Sequence, residues 1–292
     1  MDISSTNIRT ALRTNQAASE RMNGITAQLG SGSRSPRPAD DPVRWGEVQR
    51  LNDSAARLQN FSDNLSRAAF STRIASASMQ SLDQQLLEMR ESLDRALGSP
   101  EGSSGRQSAL EQFNELHRLA DDYSRPEDLN ARRLLDDPGR FDSAGDLNVA
   151  AGDNNFRIRL SHQPIHLGAG GLDLPRVGEP LPSDPGSGPI IADPGNASNE
   201  EIREMGELIG AARTVLKERQ AGLSADVLAV ERQDDQNAAL QNRFQSTSAD
   251  LDAPDLEGQS ALSQSVLMRS QLALFGLAGL NETRNLALQL LR

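Results

Sequence analysis

The stretch SADLDAPDLEGQSALSQSVLMRSQLALFGLAGLNETRNLALQLLR, residues 248–292, decides the fold. Within it Leu262, Val266, Ala273, Leu277, Leu280, Ala287 and Leu291 recur at spacings of three, four and seven, which sets them on one face of a long helix. Leu267, Leu274 and Leu288 make a second stripe that widens this face. A helix of about 40 residues reaches roughly 60 Å, well beyond the average globular helix, and an apolar face of that length has to be covered. The other end of the chain offers a match, because Ile3, Ile8, Leu12, Met22, Ile25 and Leu29 also fall at helical spacing. The two chain ends are therefore expected to pack together as a stem that carries everything between them.

Working inward, Gly30–Pro42 holds two Gly and three Pro spread among polar residues, which forbids a continuous helix. Asp40 or Asp41 then suits a helix cap and Pro42 a first turn. A long helix follows, with Leu51, Ala55, Leu58, Leu65 and Ala69 and then Met79, Leu82, Leu86, Met89, Leu93 and Leu97 on a near-heptad stripe that slips phase once in the middle. Gly98–Gly105 ends it. Leu110, Phe113, Leu116 and Ala120 mark a shorter helix running back as an antiparallel hairpin. From about Tyr123 the pattern changes: Leu147-Asn148-Val149 and Phe156–Leu160 alternate around Gly152-Asp153-Asn154-Asn155, which reads as a short β-hairpin. Residues 161–198 hold half of the 14 prolines and are expected to be an exposed, change-tolerant loop. Ser198 or Asn199 opens another helix, to Gln245, lined by Ile202, Met205, Ile209, Ala212, Leu216, Leu223, Val227, Val230 and Phe244. It is the natural third partner of the hairpin.

The fold expected is mainly α: a long antiparallel helical bundle or coiled coil with paired N- and C-terminal helices and a small β-hairpin insert. Its parts are a terminal helix and turn (1–42), a helical hairpin (43–122), a β region with a Pro/Gly-rich loop (123–198), a third body helix (199–247) and the closing helix (248–292). An aromatic content of 3% suits the thin core of such a bundle better than the thick core of a compact enzyme.

Charge and composition narrow the function. A net charge of −11 argues against a nucleic-acid partner, which starts from a basic surface. No apolar run is long enough to span a bilayer, and Met1–Asn7 lacks the basic and apolar regions of a cleavable secretory signal. The absence of cysteine removes disulfides, thiolate metal sites and thiol nucleophiles together.

At several places the residues resemble the flagellin family. Leu29-Gly30-Ser31-Gly32-Ser33-Arg34 followed by Pro38-Ala39-Asp40-Asp41-Pro42 is similar to the turn signature after the family's first terminal helix. Met89-Arg90-Glu91 resembles its M-R-E segment, and Leu129–Asp137 its F-N-G-x-x-L-L-D-G segment, with Ala131 and Asp137 at glycine positions. Ser248–Leu256 and Asn285–Arg292 look like the family's C-terminus. The resemblance implies a structural subunit that polymerises through its terminal helices into an extracellular flagellar filament used for swimming. Its partners are then other copies of itself, the other flagellar axial proteins, the flagellar type III export apparatus and an export chaperone, with no nucleic acid, membrane insertion or cofactor. Leu134-Leu135-Asp136 and the Leu-rich end favour flagellin itself over the related hook-filament junction protein. A cytoplasmic coiled-coil scaffold is the reading from another class. The assembly interface is expected at Ile8, Leu12, Met22, Leu29, Val266, Leu277, Leu280 and Leu291, with helices that order on assembly. Arg90 joins them because the family's corresponding arginine meets the neighbouring subunit and belongs to the surface read by the Toll-like receptor for flagellin. Ser92 departs from the Leu of that pattern.

No catalytic, cofactor-binding or metal-ligating residue emerges. His162 and His166 are four apart, but Pro164 between them breaks a helix, so two exposed loop histidines are expected. Gly168-Ala169-Gly170-Gly171 leads into Leu172-Asp173-Leu174-Pro175 rather than into a helix that would hold phosphate. The Asp pairs at 40/41, 121/122, 136/137 and 234/235 are expected to be caps or solvated surface. Trp45 is expected beside the Asp-Asp-Pro turn.

Overall fold

The computed structural model describes residues 3–139, 142 and 144–290, and of these the side chains of 3–8, 11, 277 and 280–290 lie outside the description. The chain is mainly α with one small antiparallel sheet. In order it runs α1 (Ile3–Ser31), α2 (Pro42–Leu97), α3 (Ser104–Tyr123), α4 (Leu129–Leu135), β1 (Leu147–Ala150), β2 (Arg157–Leu160), α5 (Asn199–Asp252) and α6 (Leu256–Leu290). It divides into two compact units: a body of residues 57–240, and a terminal unit of residues 1–56 with 241–292.

In the body, the buried positions of α2 from Leu65 to Ala96 advance by three and four without interruption. The expected phase slip is absent. Position 72 in that series is Thr72, fully buried, whose hydroxyl donates to Ala68 O at 3.0 Å. A hydroxyl at a heptad position hides the stripe from a count of apolar residues. The same spacing continues on α5 through Ile202, Met205, Ile209, Ala212, Leu216, Leu223 and Val230. Where it meets polar residues, these bind backbone of the insert: Arg219 donates to Gly170 O at 3.4 Å, Asp226 accepts from Ser161 N at 2.7 Å and Asn237 donates to Ala151 O at 3.0 Å. Backbone groups of a loop laid on a helix need such partners, so α5 is polar there for a structural reason. Its start carries a reciprocal capping box, with Glu201 accepting from Ser198 N at 2.7 Å and Ser198 Oγ from Glu201 N at 3.3 Å.

The turn between α2 and α3 is held by Arg106, 1% exposed. Its guanidinium donates to Ser99 O and to Asn199 Oδ1, each at 2.7 Å, and to Ala197 O at 2.6 Å. One buried cation thus ties the hairpin to the start of α5. Opposite charges meet lower on the same helices, where Arg213 donates to both Asp83 oxygens at 2.7 and 3.2 Å and holds that carboxyl below its ordinary pKa.

The insert corrects the expectation for 161–198. Ile165, Leu167, Leu172, Leu174, Val177 and Ile191 are buried in the common core, so the segment is packed rather than exposed. Its backbone is satisfied by α4, an element not resolved by periodicity because it is seven residues long: Gln163 N donates to Leu134 O at 2.7 Å and Ile165 N to Leu135 O at 2.9 Å. The β-hairpin pairs Leu147 with Leu160 and Ala150 with Arg157, turned by Asn154 and Asn155 at positive φ, where asparagine is tolerated. Gly171 is needed because a Cβ there would lie 1.9 Å from His166 O. The glycine run therefore serves a tight turn.

In the terminal unit α1 and α6 pack antiparallel, with Ala18 and Val266 buried and Gln28 hydrogen-bonded to Gln259. The break after α1 is fastened to the end of α5: Arg34 N donates to Asp252 O and Ser33 Oγ to Asp252 Oδ1, both at 2.7 Å. Asp41 is the cap of α2, accepting from Arg44 N at 3.0 Å, while Asp40 closes the preceding turn by accepting from Arg37 N. Asp255 does the same for α6 through Gly258 N at 3.0 Å.

Candidate assembly interface

The terminal unit buries little of what it carries. Val266 is the one buried apolar side chain of α6 among its described residues, and Ala273 is half-buried. Leu262, Leu267, Met268, Leu272, Leu274 and Phe275 are all more than half exposed, Phe275 at 75%. On α1, Leu12 and Leu29 are exposed, and Met22 is half-buried. A helix apolar on every side belongs in an interior, and burying each such Leu, Met or Phe side chain is worth roughly 1.5–3 kcal/mol. Exposed apolar side chains in such number are the usual mark of a surface used for contact.

Charge separates the units further. Residues 57–240 hold 19 Lys/Arg and 30 Asp/Glu, and the terminal unit 11 of each. The whole net charge of the chain sits on the body, and the unit with the exposed apolar row is neutral. Close packing of neutral surfaces avoids the repulsion that like-charged bodies would meet.

The residues expected at the interface fall in different places. Leu12, Met22, Leu29 and Val266 are in the terminal unit, Val266 inside the seam between α1 and α6. The side chains of Ile8, Leu277 and Leu280, and all of Leu291, lie outside the described residues. Met268, Leu272 and Phe275 were not among the expected positions because they stand off the heptad stripe. The run Leu272-Ala273-Leu274-Phe275 was the signal for them: four consecutive apolar residues cannot share one face.

Arg90 is in the body. Its Nη1 donates to Gly206 O at 2.7 Å and its Nε lies 3.5 Å from Asp94. A Cβ on Gly206 would approach the guanidinium to 3.3 Å, so the glycine makes room for the arginine to bridge α2 and α5. Ser92 is fully buried and donates to Met89 O at 2.6 Å.

The histidines differ from expectation. His166 is buried, and His162 is half-buried with Nε2 2.9 Å from Asp136 O; both belong to the packed insert. His117, 6% exposed, lines a cavity of about 390 Å³ with Arg176, Asp121 and Glu179. Arg176 Nε donates to its Nδ1 at 3.3 Å, which makes Nε2 the protonated nitrogen, donating to Leu174 O at 2.9 Å. Burial, and then the Arg176 charge, lower its pKa against the raising effect of the Leu174 hydrogen bond and of Asp121 and Glu179. Among the described residues no three His, Cys, Asp or Glu side chains gather as a metal site, and no helix is long and apolar enough to cross a membrane.

Residues 3–139 match the family model for the bacterial flagellin N-terminal helical region. No curated protein matches the chain in sequence.

Proposed function

Through residues 3–139 the chain belongs to the bacterial flagellin family, whose role in the flagellar filament is structural and not enzymatic, and on that premise we propose that it is the repeating subunit of the filament itself. The exposed row of Leu267, Met268, Leu272, Leu274 and Phe275 on α6 carries this reading. It supports a polymer whose core is made of terminal helices from many copies, covering in the assembly what one copy leaves bare. The neutrality of the terminal unit supports its close packing between copies, and the acidic surface of the body supports contact with water. Export through the flagellar type III apparatus with a chaperone, contact with the other axial proteins, and an extracellular place on the cell belong to the same proposal.

The hook-filament junction protein is the alternative, since the turn at Pro38-Ala39-Asp40-Asp41-Pro42 is at home in both. Electron microscopy of a deletion strain separates the two. A filament subunit leaves hooks without filaments and without flagellin in the medium. Loss of a junction piece leaves hooks and a medium full of secreted flagellin monomers, and that outcome sinks the filament reading.

A further inference from the structure

The terminal unit is neutral as a whole, but its charges are sorted along it. Residues 9–21 of α1 with 266–272 of α6 hold four Arg and one acid, Glu20. Residues 34–53 with 243–257, where α1 gives way to α2 and α5 to α6, hold eight Asp/Glu and five Arg. In the basic stretch Arg13, Arg21 and Arg269, all exposed, rim a groove of about 380 Å³ whose floor includes Ala17, Ala18 and the buried Val266. None of the three arginines forms an ion pair with a described residue. Three like charges around an apolar floor in a chain of net charge −11 repel one another until an anion arrives.

The acidic stretch presents the complementary chemistry. Leu256, 61% exposed, stands between the exposed Asp255 and Glu257, with Asp250 exposed on the last turn of α5. An apolar side chain flanked by carboxylates fits an apolar floor flanked by guanidiniums. Resting on the filament reading above, we infer that the Arg13–Arg21–Arg269 groove receives the Asp250–Glu257 connector of the next copy of this chain. Groove and connector are different patches of one surface, so the contact is heterologous: each copy keeps one free groove and one free connector, and the contact propagates instead of closing.

The test is seeded polymerisation of the full-length chain, read by sedimentation, at low salt and at about 1 M salt. One variant carries Arg13→Glu with Arg21→Glu, the second Asp250→Arg with Glu257→Arg, neither touching a helix cap. Each alone is expected to raise the critical concentration about tenfold or more at low salt, with a smaller effect at high salt. A mixture of the two is expected to copolymerise, since each variant's groove then meets a connector of opposite sign. Restoration in the mixture also shows that both variants fold and that the contact joins two copies. Normal polymerisation of either variant alone, or a mixture that fails, overturns the inference while leaving the filament reading intact. Failure of the unaltered chain to polymerise at all removes that reading, and this inference with it.

Discussion

The body and the terminal unit are built from similar helices, yet they spend their apolar residues differently. In residues 57–240, α2, α3, α4, the hairpin, the 161–198 segment and α5 share one core in which Leu82, Leu86, Phe113, Leu134 and Leu160 have no exposed surface. In the terminal unit, α6 buries Val266 and leaves Leu272 and Phe275 bare. The body buries most of its apolar residues in one core, with Phe70, Leu129 and Leu228 left exposed, and carries the whole net charge of −11. The terminal unit is neutral and leaves its large apolar side chains on α6 uncovered. On the proposed filament reading, fold and assembly belong to different parts of one chain, and substitutions should separate them.

The largest effect is expected on assembly alone. Leu272→Asp combined with Phe275→Asp would strand two carboxylates in a packed interior, at a cost of several kcal/mol for every subunit contact. Polymerisation should be lost while thermal melting of the body, followed by circular dichroism, is unchanged. A coincident drop in melting temperature would break the contrast between the units. Next comes the converse, an effect on the body alone. Arg106→Ala strips hydrogen bonds from Ser99 O, Ala197 O and Asn199 and opens a cavity, so urea unfolding should show a loss of about 3–5 kcal/mol. Asp83→Ala, which leaves Arg213 without its bidentate partner, should cost about 1–3 kcal/mol.

The smallest effect is acid sensitivity. His117 is held below its ordinary pKa in the folded body, so as pH falls the unfolded chain takes up that proton first and stability declines from the ordinary histidine range down through the lowered folded value. Its contribution is complete above that window. Asp83, also lowered, keeps its contribution until pH falls into and below the ordinary carboxylate range. Replacing His117 by Gln should flatten the decline that sets in as pH falls through the ordinary histidine range, measured by urea midpoints across a pH series. An unchanged slope would mean that other groups carry it.

Much of this was legible in the residues. Helical spacing located the long helices, Asp41 and Ser198 stood among the caps proposed for α2 and α5, and the alternation around Gly152–Asn155 gave the hairpin. What escaped notice was polar. Thr72 fills a heptad position and mimicked a phase slip, while Arg219, Asp226 and Asn237 interrupt the stripe of α5 because they bind the insert's backbone. Pro and Gly in 161–198 suggested a loose loop. Its buried residues, from Ile165 to Ile191, have no regular period, since they descend into the core from turns rather than from one face of an element. Among the described residues of α6 the periodic stripe marks the seam only at Val266; Leu262, Leu267 and Leu274 of the two stripes are exposed together with Met268, Leu272 and Phe275, which lie off them.

Hydrogen exchange on the full chain, as monomer and as filament, tests the division of labour most directly. Amides of α5 between Ile202 and Val230 are expected to be equally protected in both states, whereas those of α6 from Leu262 onward should exchange rapidly in the monomer and become strongly protected in the filament. Protection of α6 in the monomer as deep as that of α5 would contradict the account, since the terminal unit would then be complete without its neighbours.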